Sequence, residues 1–315
     1  MLVIQCLIRV GSAVMLYLWG VTLLWAFSFS LIGEYLSGQV DNYFAIMSRV
    51  ALACLVFLPL LLRHPIRAGL AGKLMAIGAV QLGCMYLFYY HSFLLLSVPE
   101  VLIFTIFTPV YVTLIYDLIS GRFHGAYLLT AVIAIIGAAI IRYSELGGDY
   151  WLGFVVVQAS NSCMAAGQVL YKLLIEKETQ QQGHSSRETT LNHYRHFGWF
   201  YVGAAMVTIP AWLLLGGDSY PSQPHQWLII LWLGVVASGL GYFCWNLGAT
   251  KVDSGTLSVM NNLLIPCGLA VNLVLWNQDT DMLRLLAGSF LLLLALWVNQ
   301  LVSSRYRSWG KASAV

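Results

Sequence analysis

Charge is scarce in this chain: Asp, Glu, Lys and Arg make up only 9% of its 315 residues. A soluble domain carries about 25% charged residues, so a water-facing surface over the whole molecule is excluded. Cysteine is sparse and scattered. Cys6, Cys54, Cys84, Cys163, Cys244 and Cys267 form no CxxC pair and no Cys/His cluster, which argues against a disulfide framework and against a metal site. No GxxxxGK[ST] loop and no Rossmann fingerprint occurs, which argues against a nucleotide-driven pump and a dinucleotide cofactor. No nucleophile–base pair stands out, so no enzyme activity and no cofactor are expected. The net charge of +3 gives no reason to expect a nucleic-acid partner. Apolar residues are plentiful, at 59% with a mean hydropathy of +0.77. Runs of roughly 20 apolar residues read as membrane-spanning helices. They do not alternate polar and apolar, so a barrel is not expected.

Ten spans are expected: Val14–Leu36, Tyr43–Leu62, Leu74–Leu96, Glu100–Ile119, Tyr127–Tyr143, Trp151–Ile175, Gly198–Gly216, Trp227–Leu247, Gly255–Trp276 and Leu283–Val302. They are called span one to span ten below. The longer polar connections are Arg63–Lys73 and Glu176–Phe197. Placing the N-terminus in the cytoplasm puts twelve basic residues inside: Arg9, Arg63, Arg67, Lys73, Arg122, Lys177, Arg187, Arg195, Lys251, Arg305, Arg307 and Lys311. Only Arg142 and Arg284 then lie outside. Inside loops carry the excess of Lys and Arg, so both termini are expected to be cytoplasmic.

The chain also resembles itself. Pro109 and Pro266 are 157 residues apart, and that offset also pairs Thr105 with Asn262, Ser97 with Ser254 and Tyr89 with Asn246. Trp25-Ala26-Phe27-Ser28 faces Gln158-Ala159-Ser160-Asn161 at an offset of 133. The difference, 157 − 133 = 24, matches the long stretch Glu176–Phe197. Two five-span halves, residues 1–147 and 148–315, are therefore expected. An odd number of spans inverts the second half relative to the first, and inverted repeats with midplane sites mark secondary transporters. Pro109 and Pro266 are expected to break spans four and nine. Carbonyls freed near Thr105 and Asn262 would then face either a central cavity or a packed interface.

These features identify a likeness. Ten spans in five-plus-five form, the stretch "LLWAFSFS" in span one and proline in spans four and nine resemble the drug/metabolite transporter (DMT) superfamily of EamA type. The stretches "LWAFSFSLIGEYLSG", "YKLLIE", "VVASGLGYFCWNLGAT" with "VDSGTL", and "MNN" before "PCGLAVNL" resemble the bacterial inner-membrane biotin transporters. The N-terminus and the stretch after span six are longer here than in that family. The resemblance implies an all-α, multi-pass protein of the bacterial inner membrane. It also implies a central cavity lined by spans one to four and six to nine, with spans five and ten as supports. Its implied partners are membrane lipid and biotin, imported by alternating access; a monomer is allowed. Export or exchange of an amino acid or related metabolite remains an alternative, as does an intramembrane enzyme or sensor.

Such a ligand sets demands on the site. A buried ureido group needs amide or hydroxyl partners, a carboxylate needs a cation or several donors, and an apolar middle needs aromatic or aliphatic walls. Arg49, well inside span two, is the candidate carboxylate anchor; the alternatives are a pairing with Glu34, Asp41 or Glu100, or snorkelling to an interface. Lys172, near the cytoplasmic end of span six, is either part of the site or snorkels to the interface. Asn161, Asn246 and Asn262 are candidate ureido partners, with Asn261 beside them and Gln81, Gln158, Ser28, Ser30 and Ser160 in support. Tyr86 and Tyr90 from the run "YLFYYH", with Trp25, Tyr111, Tyr242 and Trp245, are the candidate aromatic walls. Glu34, Glu100 and Asp117 lie near span ends and read as solvated caps, and His91 alone identifies no coupling ion.

The charge count generates a test of direction. A single cysteine at Gln180, in a cysteine-free background, should resist a membrane-impermeant thiol reagent in intact cells and react after permeabilisation. Reaction in intact cells would overturn the ten-span arrangement.

Overall fold

The computed structural model describes residues 12–121, 150–182 and 186–276, with isolated positions in 129–136 and 283–301. The described residues are helical, with no strand among them. Among the described residues, seven helices are long and apolar enough to cross a membrane: Leu16–Leu36, Asn42–Arg63, Ala68–Ser92, Glu100–Ile119, Asn192–Leu215, Pro224–Ala249 and Gly255–Leu275. They match spans one to four and seven to nine. Span six forms the 33-residue helix Tyr150–Gln182 but does not reach the same apolarity. Gln158, Ser160, Asn161, Ser162, Gln168 and Lys172 interrupt its apolar surface, and a helix packed between others tolerates them. Spans five and ten lie outside the described residues except for isolated helical positions.

One expected connection is not a loop. Glu176–Phe197 continues the helices on either side, which run to Gln182 and resume at Ser186. Glu, Lys, Gln and Arg are good helix formers, and proline is absent from this stretch. The extension of span six reaches the connection after span two, where Arg67 pairs with Glu178 at 2.6 Å. An exposed pair of this kind contributes little energy, but it places both segments at one end of the bundle.

Large apolar side chains such as Leu118 and Leu214 are 83% and 82% exposed. Exposed apolar side chains of this size suit lipid rather than water. The chain is a multi-pass membrane protein. Span one packs on spans eight and nine, and span six on spans three and four. Span two packs on spans seven and eight, and span three on span seven. Spans four and nine also touch.

Among the described residues, three spans contain a π-helical stretch, Ile32–Leu36 in span one, Ala79–Cys84 in span three and Leu233–Leu240 in span eight. Span four is not one helix but two. Val98–Phe104 gives way to a 3-10 turn at Thr105–Phe107, and a new helix starts at Thr108. Pro109 lies in the first turn of that new helix, where its missing N–H costs nothing. Span nine runs unbroken through Pro266, from Ser254 to Trp276. The two prolines therefore act differently: one starts a helix, the other is carried inside one.

The bundle closes through glycine. A Cβ on Gly203 would lie 1.8 Å from the Met75 carbonyl oxygen, and one on Gly78 would lie 1.8 Å from that of Phe200. Spans three and seven thus touch backbone to backbone, as small residues permit in membranes. Gly203→Ala should cost about 1–3 kcal/mol by overpacking and lower the melting temperature in detergent. Gly20→Ala, with nothing within 4 Å of its Cβ, should leave it unchanged or slightly raised. Equal melting temperatures for the two variants would contradict the close crossing.

Candidate functional site

A cavity lies among spans one, two, three, four, six, eight and nine, with about 690 Å³ of space outside protein atoms, part of it open to solvent. Its walls divide by chemistry. Trp25 and Phe29 of span one, with Tyr242 and Trp245 of span eight, give an aromatic side. Trp25 packs in tilted contact at 4.9 Å from Tyr242 and 5.0 Å from Trp245, centroid to centroid. Met85, Met164 and Met260 add flexible thioether wall, adaptable to an irregular apolar ligand.

Arg49 reaches this cavity from span two and is 2% exposed. Its guanidinium donates Nη1–H to Tyr90 Oη and Nη2–H to Tyr86 Oη, both at 2.7 Å, and Nε–H to Ser238 Oγ at 3.1 Å. Tyr86 Oη also hydrogen-bonds Ser238 Oγ at 2.9 Å. The guanidinium carbon stands 4.4 Å from the Tyr86 ring centre and 5.6 Å from that of Tyr90. These partners are neutral. Among the described residues no carboxylate pairs with Arg49; Glu178 pairs with Arg67 and Glu176 with Lys172. Asp41 instead accepts from the Phe44 backbone N–H, and Glu100 accepts from Ser97. A guanidinium has five N–H donors, so two are left beyond these three bonds.

The partners are aimed by backbone irregularity. The π-helical stretch of span eight turns carbonyls away from the helical ladder, and side chains of other spans take them. Trp25 Nε1–H donates to Ala237 O at 3.0 Å. Tyr201 O–H donates to Ser238 O at 2.8 Å and Gly239 O at 2.5 Å. In span three, Ser160 O–H donates to Met85 O at 3.2 Å.

A second polar group comes from spans four, six and nine: Thr105, Thr108, Ser160, Asn161 and Asn261 line the cavity. In the 3-10 turn of span four the Thr108 N–H bonds to Thr105 O, which releases Phe104 O. Asn161 Nδ2 takes that carbonyl at 2.7 Å and Gln158 Nε2 at 3.1 Å. Asn262 Nδ2 donates to Ile106 O at 3.2 Å. The carbonyls near the break were expected either at a cavity or in a packed interface. Phe104 O and Ile106 O are served by amides of spans six and nine. Asn161 still presents its Oδ1, which accepts no hydrogen bond among the described residues.

The remaining candidates sit elsewhere. Arg49, Tyr86, Trp25, Tyr242, Ser28 and Asn161 line the cavity. Tyr90 stands behind, on Arg49. Ser28 donates to Leu24 O at 2.6 Å. Asn246 and Gln81 are wholly buried and bond each other, Gln81 Nε2 to Asn246 Oδ1, at 3.2 Å. Asn262, Tyr111, Pro109 and Pro266 are off the wall. Lys172 is 5% exposed and donates to Val252 O at 2.7 Å and Ala249 O at 3.4 Å, with Glu176 at 2.8 Å. It neither snorkels nor reaches the cavity. It holds the C-terminal end of span eight, where a cation complements the helix dipole.

No protein-family model matches the chain. A probable biotin transporter of Pseudomonas aeruginosa is 49% identical over 288 residues, 91% of this chain and 98% of that one. The biotin transporters of Salmonella typhimurium and of Escherichia coli K12 are 47% and 46% identical, each over 89% of this chain and 90% of theirs. This chain belongs to the biotin-transporter family. A solved structure described only as a crystal structure of a protein superposes with a TM-score of 0.71 over 92% of this chain and 98% of that one, at 15% identity. That likeness speaks for the fold alone.

Sequence reasoning in this family member passed over Tyr89, Thr22 and the three methionines of the wall. Tyr89 was within reach: it lies three residues after Tyr86 and one before Tyr90, on the same helix face. The methionines carry no periodic or polar signal that separates wall from core. The geometry of Lys172 gives a prediction. Lys172→Met should lower the melting temperature by several degrees, since it strands two buried carbonyls, and leave ligand affinity within about threefold. A larger loss of affinity at unchanged stability would put Lys172 in the binding site.

Proposed function

We propose that this chain carries biotin across the bacterial inner membrane, inward, by alternating access. The observation that carries the reading is a buried, carboxylate-free guanidinium on the wall of a central cavity, in a chain 46–49% identical to named biotin transporters. Biotin's carboxylate takes the two remaining N–H groups of Arg49. Its apolar ring and chain lie against Trp25, Tyr242, Trp245 and the methionines. Its ureido N–H donates to Asn161 Oδ1, with Ser160 and Thr105 nearby. Aligned charge-assisted bonds are the strong ones, so the acid end anchors the ligand.

The ten-span, two-half organisation of the DMT fold, residues 1–147 and 148–315 with both termini in the cytoplasm, belongs to this proposal. Exchange in the packing supports it. Equating spans one to four with six to nine maps the contacts of span one with eight and nine onto those of span six with three and four. It likewise maps span two on eight to span seven on three, and leaves the two–seven and four–nine contacts unchanged. At the same offset the π-helical stretch of span three, 79 + 157 = 236 to 84 + 157 = 241, overlaps that of span eight, Leu233–Leu240. Irregular helices paired across the halves, in spans three and eight, suit a transporter that rocks one half against the other.

The test is uptake of labelled biotin, at trace concentration, into cells that neither make nor import it. Expression of this chain should give uptake that unlabelled biotin competes away. Uptake no greater than with the empty vector, with the protein present in the membrane, would sink the substrate.

A further inference from the structure

Tyr89 stands on the cavity wall and is 5% exposed. Its ring is fixed by Phe29 at 5.0 Å, Phe93 at 4.9 Å and Tyr90 at 6.4 Å between centroids. Its hydroxyl is buried and has no hydrogen-bond partner. Of the buried polar atoms left without a partner among the described residues, it is the one that belongs to a cavity-lining residue. Folded proteins seldom leave such a group unpaired, and one at a site calls for a functional reason. The neighbouring tyrosines show what the position can do. Tyr86 and Tyr90 spend their hydroxyls on Arg49, while Tyr89, on the same face of span three, spends none.

We infer that Tyr89 contacts the ligand, donating its O–H to the acid end of the bound molecule beside Arg49. A carboxylate offers about four acceptor positions. Arg49 has two N–H groups to give, which leaves room for one more donor. The anionic end thereby meets a cation and a fixed phenol, and a neutral analogue forfeits both. Tyr89 is thus a specificity-determining residue for a carboxylate ligand. This rests on the reading of the site as one for biotin.

The test uses the purified full chain in detergent, the variant Tyr89→Phe, and two ligands: biotin, and its alcohol, in which CH2OH replaces the carboxylate. Tyr89→Phe keeps the ring contacts and removes one oxygen. Biotin affinity should fall about 10- to 100-fold, as for a hydrogen bond to a charged group, with the alcohol within about threefold of wild type. The melting temperature without ligand should hold or rise, because an unpaired buried hydroxyl is gone. Unchanged biotin affinity would overturn the inference alone. Equal losses for both ligands would move the hydroxyl to the ureido end and also overturn it. A fall in the ligand-free melting temperature would show a structural partner and overturn it too. Failure of the wild type to bind biotin would overturn the substrate reading, and this inference with it.

Discussion

A positive charge taken out of water governs the arrangement of spans two, three and eight. Arg49 at 2% exposure costs about 2.5–3.5 kcal/mol on insertion scales for a helix centre. Three hydroxyls, from Tyr86, Tyr90 and Ser238, offset that cost. Each must come from a different place in the fold than Arg49 itself. Tyr86 and Tyr90 follow the π-helical stretch of span three. Ser238 lies within that of span eight, and Gly234 lets the stretch approach closely, since a Cβ there would lie 3.3 Å from the Arg49 Cα and 2.7 Å from Leu52 Cβ. Hydroxyls solvate a cation without cancelling it. An ion pair with a protein carboxylate would have been self-contained; this arrangement keeps the charge available for an anion.

The irregular backbone nearby follows the same economy. A π turn or a 3-10 turn releases carbonyls that hydrocarbon cannot satisfy. Here other spans supply the donors: Trp25 and Tyr201 for span eight, Ser160 for span three, Asn161, Gln158 and Asn262 for span four. Several of those donors also shape the cavity. The polar residues in spans one, six and nine thus hold the bent helices in place, and Trp25, Ser160 and Asn161 among them also line the cavity. Changes that move the bends also move the cavity wall, which is the coupling an alternating-access carrier needs.

Much of this was legible in the sequence, for physical reasons. Seven apolar helices stood out because a hydrocarbon core demands about 20 consecutive apolar residues. Arg49 stood out because a cation there is expensive. Three things were not legible. The stretch Glu176–Phe197 looked like a loop because it is polar, but polarity near a membrane surface does not distinguish a loop from a solvated helix, and its residues favour helix. The roles of the asparagines were also hidden. Asn161, Asn246 and Asn262 look alike in apolar runs, yet Asn161 lines the cavity, Asn246 bonds Gln81 and Asn262 holds the Ile106 carbonyl. Which face an amide presents depends on partners more than 50 residues away. Proline misled in the same way, since Pro109 opens a helix and Pro266 rides inside one.

The central claim is that the guanidinium of Arg49 is held by neutral groups so that it can bind a ligand's carboxylate. The most direct measurement is the affinity of purified wild type and Arg49→Met for biotin and for its alcohol, by calorimetry in detergent. The account predicts a loss of roughly 10- to 150-fold for biotin and a much smaller loss for the alcohol. A preference for the acid that survives in Arg49→Met would contradict it.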